Sequence, residues 1–495
     1  MTAVFINPQL YVQKNDKFTT GIVYMPIALA YVVSFFKHNG IAVEVKDLFG
    51  QNPKKSKLFQ DKIILGDDIN TLKFNNKNEI KCFFVYANQV ANHNSIKNIV
   101  SYLKENYVNI PVVILENSQA VTAYSLDVVQ ENFFSFGSDY LVVGDLEHTA
   151  LELYHNLDNK DKLKLVNGLI SKDFKNSKIN FVNELDELPI PAWENFPIEN
   201  YWDLGYSHGP LSSKRYLPIL TSRGCPYPCK FCVVPKTNER RWRSRSAKNL
   251  VKEIQYLKRK FLVNEFHLED LNPTVNEKRT NEICEEFIKE KINITWKIVS
   301  GTKVESIKSL DTIDKMYDAG CRYISISPES GSKELMKEID KPFDYDHALK
   351  IVKRMNKVKI FGQACFILGF PGETNQDIKK TRKMVFDLTR KGIDEIAVFI
   401  ITPIPGSRIF NKFTKLENLS NLTFTPTWRD DYKLLNRERL LLYVIFLTTK
   451  LIFHPVKIFK QSLNFFSKNF QTKMEMVPYK FLKITKFQYV SKKNN

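Results

Sequence analysis

Three cysteines lie close together on one short stretch of the chain and could bind a metal centre. They are Cys225, Cys229 and Cys232 in SRGCPYPCKFCVVP, with the spacing C-x3-C-x2-C. A structural zinc site usually takes four Cys or His ligands in two separated pairs. The remaining cysteines offer no such pair, because they are scattered singly: Cys82, Cys284, Cys321 and Cys365. Three thiolates on one loop better fit an iron–sulfur cube whose fourth iron is open to a ligand that is not protein.

The segment CPYPCKFC resembles the C-x3-C-x-aromatic-C signature of the radical S-adenosylmethionine (radical SAM) enzymes. The resemblance implies that Cys225, Cys229 and Cys232 ligate a 4Fe-4S cluster, and that Phe231 packs near the adenine of S-adenosylmethionine. It also implies that this cofactor chelates the open iron. An electron from the cluster would then cleave it to methionine and a 5′-deoxyadenosyl radical. The protein's part would be to hold and shield cofactors that supply the reactive chemistry.

Two further segments resemble parts of this family that contact the cofactor. In HLEDLNPTVN the resemblance places Glu269 and Asp270 near the methionine amino group, and a helix cap or surface ion pair is the alternative. In YISISPESGS it places Ser327 and Glu329 against the ribose or the amino-acid moiety, although Pro328 stands where relatives often have isoleucine. A carboxylate at the carboxyl end of a strand suits binding of hydroxyl or ammonium groups.

Two glycine-containing segments complete the resemblance. FILGFPGET (366–374) resembles the family's F-x-x-G-x-P-G-E-T, and TPIPGS (402–407) resembles a segment that follows the last barrel strand. Gly369 and Gly372 permit a tight loop and a close approach of the backbone to the cofactor. We interpret these glycines as residues that shape the cofactor pocket rather than as chemical groups.

Strand-like and helix-like segments alternate about six times between residues 216 and 410. The strand candidates include ILTS, EFHLED, TWKIVS, CRYISISPES, GQACFILG and EIAVFI, separated by amphipathic helical stretches. Serial β-α units predict a barrel-like parallel sheet whose active residues lie at the carboxyl ends of the strands. The family resemblance likewise implies a partial (β/α)6 barrel.

Residues 1–175 show a similar alternation and predict an α/β domain with a doubly wound parallel sheet. Followed by a linker and the cysteine loop, this domain resembles that of the radical SAM subclass with an N-terminal Rossmann-like cobalamin-binding domain. The segment SDYLVVGDLEHTALEL (138–153) carries part of the resemblance. The resemblance implies that cobalamin is a further cofactor.

The histidine that many corrinoid proteins place under the metal, in D-x-H-x-x-G, has no counterpart in the first domain. His93 lies in YANQVANHNS without the Asp and Gly of that motif, and we expect a solvent-facing loop residue there. Relatives without this ligand can hold a corrinoid, so cobalamin remains the expected cofactor. A domain with a purely structural role is the alternative.

Two stretches flank the barrel. Residues 176–215 contain ELDELPIPAWENFPIENYW and predict a linker laid along the surface without regular elements. Residues 411–495 predict a basic and mainly helical extension. Within it, LLLYVIFLTTKLIF (440–453) is too short for a transmembrane span and carries Lys450. A buried helix is the first interpretation, and an interfacial helix with basic neighbours at lipid headgroups is the second.

Charge and composition restrict the partners. The chain has 495 residues, 43% of them hydrophobic, and a net charge of +19. Residues 431–495 contain 13 Lys and Arg against 3 Asp and Glu, so about half of the excess, +10, lies there. Nucleic acid, an anionic membrane or an acidic substrate would fit this asymmetry. No nucleic-acid-binding module is recognisable. We therefore expect a small-molecule or lipid-like substrate and peripheral membrane contact through 431–495.

These features predict a radical SAM enzyme whose barrel, residues 216–410, cleaves S-adenosylmethionine. Cobalamin-dependent methylation of an unactivated carbon is the expected reaction. The alternatives are radical cyclisation or rearrangement without methyl transfer, or a non-enzymatic iron–sulfur protein for electron transfer. A reductase or flavodoxin-type protein is the expected electron donor. The chain has few cysteines, and its first residues, MTAVFINPQLYV, do not resemble a secretory signal. Both features predict a location in the cytoplasm.

Overall fold

The first part of the chain forms a six-stranded sheet. The computed structural model describes residues 1–74, 77–176, 178–413 and 418–493. The strands of the first part are β1 (Thr2–Asn7), β2 (Leu10–Gln13), β3 (Ala42–Asp47), β4 (Ser56–Phe59), β5 (Lys62–Leu65), β6 (Ile80–Ala87), β7 (Val112–Glu116), β8 (Tyr140–Val142) and β9 (Leu169–Ser171). Its helices are α1 (Ile27–His38), α2 (Leu48–Gln51), α3 (His93–Asn106), α4 (Gln130–Ser135), α5 (Leu146–Asn156) and α6 (Lys160–Leu163). The sheet order is β3-β1-β6-β7-β8-β9, with β9 antiparallel to β8.

Both faces of this sheet are covered, as the apolar runs of its strands predict. In β1, Ala3 and Phe5 belong to one apolar cluster, while Val4 and Ile6 belong to another on the opposite face. Successive side chains of a strand point to opposite faces, so an unbroken apolar run marks a strand buried on both sides. The predicted doubly wound parallel sheet is therefore confirmed.

The second sheet is parallel throughout and its strands follow chain order. Its strands are β10 (Tyr216–Ile219), β13 (Glu265–Leu268), β14 (Thr295–Thr302), β15 (Cys321–Glu329), β16 (Phe361–Leu368) and β17 (Glu395–Ile400), and a hairpin is formed by β11 (Ser222–Gly224) and β12 (Trp242–Ser244). The helices that follow the linker helix α7 (Ile198–Leu204) are α8 (Val234–Thr237), α9 (Ala247–Phe261), α10 (Glu277–Lys289), α11 (Leu310–Asp318), α12 (Lys333–Glu338), α13 (Tyr345–Val358) and α14 (Asn375–Lys391). The predicted partial (β/α)6 barrel is confirmed.

Local sequence signals place the ends of the barrel helices. Ser246 caps α9 by accepting a hydrogen bond from the backbone N–H of Asn249. Thr374 and Asp377 form a reciprocal capping box at the start of α14. The same helix ends at Gly392, which has a φ of 106° that side-chain-bearing residues rarely adopt. These caps fix where each helix begins relative to the strand before it, and therefore fix the loops at the carboxyl ends of the strands.

The prediction of a surface linker without regular elements over residues 176–215 is wrong. This segment contains α7, and its aromatic side chains Trp193, Tyr201 and Tyr206 are fully buried. The Tyr201 hydroxyl donates to Asp47 of the first sheet (2.7 Å), and the Trp202 indole N–H donates to the carbonyl of Tyr216 in the second (2.7 Å). The aromatic residues therefore join the two sheets: their rings supply apolar area, and the Tyr201 hydroxyl and the Trp202 indole each bond to one of the sheets.

The C-terminal extension consists of α15 (Tyr432–Phe453), α16 (Pro455–Ser467) and α17 (Lys473–Lys493). One face of α15 is buried through Leu435, Leu442 and Phe446, but much of the rest of the helix is exposed. The predicted buried helix is thus correct for one face only. In the described part of the chain no single helix is long and apolar enough to cross a membrane; α15 and α16 pass that criterion only as a pair bent by 111°.

Candidate active site

The cysteine loop follows β10 and is held at its base by the β11–β12 hairpin. Gly224, directly before the first cysteine, has a φ of 78°. A Cβ atom at this position would lie 1.9 Å from the carbonyl oxygen of Arg241, the residue before the facing strand β12. Because no side chain fits there, glycine is required for the loop to leave the hairpin at this angle. The loop consequently lies at the carboxyl end of the barrel, as predicted.

The three loop cysteines line one cavity of about 810 Å³. Burial raises the pKa of the Cys225 thiol to about 11 and also raises the pKa of Cys229 and Cys232. The backbone N–H of Val234 donates to the Cys232 sulfur at 3.4 Å. Buried thiols of this kind are protonated by themselves and become thiolates when they bind a metal centre. The donor set therefore fits an iron–sulfur cluster.

The arrangement of these thiols differs from that of a single-ion site. Among the described residues, no three or more His, Cys, Asp or Glu side chains converge on one metal-ion position. An iron–sulfur cube binds each thiolate to a different iron, so its ligands do not need to meet at one point. The side chain of Lys341 lies near the cysteines and lowers their pKa values, against the larger effect of burial.

The predicted acidic pair is split between two environments. Glu269 lines the cavity, where His208 Nδ1 lies 2.8 Å from its carboxylate and the Ser300 hydroxyl donates to it at 3.0 Å. Burial acts to raise the pKa of Glu269, but these two partners lower it below its usual value. Glu269 is therefore an anion at the cavity wall.

Asp270 does not line the cavity. It is fully buried and accepts hydrogen bonds from the backbone N–H and hydroxyl of Thr221 (2.9 and 2.7 Å) and from the Ser222 hydroxyl (2.6 Å). These bonds fasten the segment that leads into the cysteine loop. The structure places Asp270 under the loop, apart from the predicted position beside a bound cofactor.

Ser327 and Glu329, at the end of β15, both line the cavity. Glu329 forms a buried ion pair with Lys341, a residue that the sequence analysis missed. Glu329 also has a φ of 58°, which is uncommon for a residue with a side chain. Such strain persists where surrounding contacts impose it, and it often marks functional sites. Phe231 lines the same region, with the Lys341 ammonium 5.8 Å from its ring centre.

Gly369 and Gly372 lie outside the cavity lining. Both have positive φ, 85° and 87°, so both permit the turn after β16. A Cβ at Gly369 would come 2.6 Å from Leu435 and 2.8 Å from Arg429, and the Arg429 guanidinium donates to the Gly369 carbonyl at 3.0 Å. This turn therefore supports contact with the C-terminal extension, while neighbouring Ile367 faces the cavity.

The first domain forms another wall of the same cavity. Part of its lining lies at the carboxyl ends of three central strands: Asn7 and Pro8 at the end of β1, Asn88 and Gln89 after β6, and Asn117 and Gln119 to Thr122 after β7. The carboxyl ends of parallel strands are where open α/β sheets bind ligands. The carboxyl ends of both sheets therefore face one shared space, and the loops on this side contribute several side-chain amides to it.

The prediction that His93 is a solvent-facing loop residue is wrong. His93 is buried at the start of α3, with Nδ1 3.3 Å from the Tyr124 hydroxyl and its ring against Phe133 and Phe136. Burial lowers its pKa to about 4. Among the described residues, the histidine that lines the cavity is His208, which belongs to the barrel side. The described residues of the first-domain wall thus offer no histidine to a corrinoid.

A buried ion-pair cluster between the two domains was missed by the sequence analysis. Arg223, two residues before the first cysteine, donates two hydrogen bonds to Glu147 (3.0 and 2.7 Å) and lies 3.5 Å from Asp145. Arg243 of β12 pairs with Asp145 and donates to the carbonyl of Val182 (2.9 Å). The segment GDLEHT, which contains both acids, therefore anchors the hairpin of the cysteine loop.

The C-terminal extension closes the third side of the cavity. The lining residues from it are Arg439, Leu440, Tyr443, Lys473, Met474, Met476, Val477, Pro478 and Lys480. The Lys480 ammonium donates to the carbonyl of Thr20 at 2.6 Å and ties α17 to the first domain. Burial lowers the pKa of Lys480 to about 7. The extension is thus part of the site and not an independent appendage.

Comparison with known proteins agrees with this architecture. Residues 219–385 match the radical SAM superfamily. The chain is 29% identical over 297 residues to an uncharacterized methyltransferase of Pyrococcus horikoshii, covering 59% of this chain and 60% of the relative. It is 27% identical over 271 residues to an anaerobic magnesium-protoporphyrin IX monomethyl ester cyclase of Synechocystis, covering 54% of this chain and 51% of the cyclase. The chain therefore spans about half to three fifths of the length of these relatives.

A solved structure extends the similarity over both domains. The radical S-adenosylmethionine methyltransferase TsrM of Kitasatospora setae, with cobalamin and a [4Fe-4S] cluster bound, superposes with a TM-score of 0.60. The alignment covers 83% of this chain and 77% of TsrM at 15% sequence identity. The chain thus has the two-domain fold of a cobalamin-binding radical SAM protein. Within this fold, residues 219–385 form a radical SAM domain.

Proposed function

We propose that this protein is a radical SAM enzyme that uses cobalamin to methylate an unactivated carbon. The observation that carries the proposal is the single cavity, which joins the three-thiol loop to the carboxyl ends of the first-domain strands. A corrinoid held by the first domain and S-adenosylmethionine held at the cluster would face the same space. A substrate between them would be within reach of both.

Each wall has a distinct task in this proposal. Cys225, Cys229 and Cys232 would hold the cluster. When bound, the cluster with S-adenosylmethionine would supply a 5′-deoxyadenosyl radical, and a methylated corrinoid would supply the methyl group. Glu329 and Ser327 offer a carboxylate and a hydroxyl to the amino or ribose hydroxyl groups of the cofactor. The covering extension keeps water from the reaction space.

Two side chains complete the proposed cofactor pocket. Glu269, held as an anion by His208 and Ser300, suits the methionine ammonium group. Phe231 offers an apolar surface to the adenine. Amides from loops such as Asn88 and Asn117 are suited to the amide-rich rim of a corrinoid, which would bind without a histidine ligand from this domain. The chemistry of each wall thus matches the group it would face.

The cavity walls also bear on the substrate and on the electron source. Met474, Met476 and Val477 give the C-terminal wall an apolar character that suits a small molecule or a lipid-like substrate. Reductive cleavage needs an external electron, which we assign to a flavodoxin-type or other reductase protein. A reducing cytoplasmic setting would keep the three cysteines as thiols, free to bind the cluster.

Radical cyclisation without methyl transfer is the second candidate. It is favoured by the similarity to the anaerobic cyclase of Synechocystis. The two reactions differ in the fate of the methyl group of methionine. In methylation this group enters the product, whereas in cyclisation the product gains no carbon.

Isotope labelling separates these candidates in cells. Cells producing the wild-type protein or the Cys225→Ala variant are grown on methionine with a deuterated methyl group, and extracts are compared by mass spectrometry. We expect a labelled product that is present only with the wild-type protein. A cysteine-dependent product without label would favour cyclisation. Release of no 5′-deoxyadenosine by reduced, cluster-loaded protein would contradict both.

Replacing Glu329 by glutamine tests the proposed cofactor contact. We expect S-adenosylmethionine to bind about ten-fold or more weakly, because a hydrogen bond to a charged group contributes about 1.5–3 kcal/mol. Anaerobic equilibrium dialysis measures the affinity, and iron analysis verifies that the cluster is retained. Glu338→Gln is the matched control, since Glu338 is exposed and lies outside the cavity lining. Equal affinity of the two variants would refute the assignment of Glu329.

A further inference from the structure

Helix α15 presents apolar side chains on opposite faces. Leu442 and Phe446 are buried against the barrel. Leu440, Val444, Leu447 and Leu451 recur at helical spacing on the opposite side, and all four are exposed. A helix that is apolar all round is expected inside a protein core or in contact with lipid. The protein core covers only one of the two apolar faces of α15.

Helix α16 adds a second exposed apolar stripe. None of its residues is buried. Val456, Phe459, Leu463 and Phe466 are spaced three or four residues apart, so they share one face, and Phe466 is 79% exposed. Apolar stripes at this spacing normally pack against another surface. No other part of the described chain covers this stripe.

The concentration of exposed apolar residues in this region is unusual. Among the described residues, 12 of the 27 exposed large hydrophobic side chains lie between Leu434 and Phe466. Scattered exposed apolar residues are ordinary on protein surfaces, but a contiguous group marks an interaction site. Covering such a surface is favourable by about 25 cal/mol for each Å² of apolar area removed from water.

The charges beside these stripes point to an anionic partner. Lys433, Arg437, Lys460 and Lys468 are all exposed. Two acidic residues beside these stripes are paired with arginines, Asp431 with Arg429 and Glu438 with Arg382. A second copy of the same surface would bring these basic residues against one another, which disfavours a symmetric dimer through this face. Anionic lipid headgroups above an apolar layer match both features.

We propose that α15 and α16 dock on the surface of an anionic lipid bilayer. Their exposed leucine, valine and phenylalanine side chains enter the boundary of the acyl chains, and the neighbouring lysine and arginine side chains contact the headgroups. The helices lie on the bilayer rather than cross it, because the pair is bent by 111° and α15 is held to the barrel on one face. The partner is the lipid surface itself.

This docking would place the cavity beside the lipid. Leu440 is 57% exposed and also lines the cavity. Phe18 is exposed, lines the same cavity and stacks on Phe481 of α17. An apolar substrate could therefore enter the site directly from the bilayer. The entry of substrate from the bilayer rests on the proposed function, whereas the docking itself does not depend on any activity.

Vesicle flotation with the full chain tests the docking. The vesicles contain phosphatidylcholine alone or phosphatidylcholine with one third phosphatidylglycerol. We expect the protein to float with the anionic vesicles, and to be released by high salt or by alkaline carbonate, as a surface-bound protein is. The variant Leu451→Glu/Phe459→Glu should partition at least about ten-fold less, because it places charges within the apolar stripes.

The control variant is Leu165→Glu/Val108→Glu, which changes two exposed apolar residues in the first domain. It should float like the wild-type protein. Circular dichroism and gel filtration verify that both double variants are folded. Absence of wild-type flotation, or equal flotation of the stripe variant and the control, would overturn the proposal. A wild-type dimer that the stripe variant dissociates, without any vesicle binding, would identify a second copy as the occupant and also overturn it.

Discussion

Cys229→Ala removes the iron–sulfur cluster and, with it, all cleavage of S-adenosylmethionine: this is the largest effect we expect from any single substitution. Cys229 is the middle one of three cavity-lining thiols on one loop. A cube with one iron already open to a cofactor would keep only two protein ligands, and cysteine thiolates are what hold such clusters. Anaerobic reconstitution should give about four irons per chain for the wild-type protein and close to none for the variant.

The matched control for this substitution is Cys365→Ala. Cys365 also lines the cavity, but it lies on β16, where its sulfur contacts Ser325 and Gln363. We expect this variant to keep the iron content and the visible absorption of the wild-type protein. If Cys229→Ala retained its cluster, or if Cys365→Ala lost it, the assignment of the ligands would be wrong.

Glu147→Ala should destabilise the protein by about 3–5 kcal/mol, because it leaves the buried guanidinium of Arg223 without its bidentate partner. Burial by itself acts to lower the pKa of Arg223, yet Glu147 and Asp145 raise it above its usual value. Arg223 therefore stays charged in the folded protein, and its charge must be compensated. The free energy of unfolding of the first cooperative transition, measured in urea without cofactors, records the loss.

Glu152→Ala on the same helix is the control, since Glu152 is exposed. It should change the stability by no more than about 0.5 kcal/mol. Because Arg223 lies two residues before Cys225, we also expect Glu147→Ala to lower the yield of reconstituted cluster. Unchanged stability and unchanged cluster yield together would show that this ion pair does not anchor the loop.

Adjacent residues show how much depends on strand geometry. Glu269 and Asp270 form an acidic pair in the sequence, but they follow β13 with their side chains in different directions. Glu269 faces the cavity, and Asp270 points under the cysteine loop toward Thr221. The identity of the two acids was evident from the sequence. Which of them faces the cavity depends on the register of the strand and on the loop it supports.

The wrong predictions for His93 and for residues 176–215 have a related cause. His93 and the aromatic linker were judged from polar or proline-rich neighbours in the sequence. His93 is buried because Tyr124 and Phe133, about 30 to 40 residues later, surround its ring. The linker is packed because Tyr201 and Trp202 find partners in two different sheets. Burial of such residues is decided by long-range packing rather than by local composition.

The sequence by itself determined the features that depend on local spacing. Three cysteines in eight residues indicate a cluster with an open iron, and alternating strand and helix periods indicate two parallel α/β units. Only the tertiary structure decided which distant groups meet: Lys341 beside Glu329, Arg223 against Glu147, and α15 with an apolar face left uncovered. The physical reason is that periodicity is a property of neighbouring residues, whereas ion pairing and burial arise between segments that only folding brings into contact.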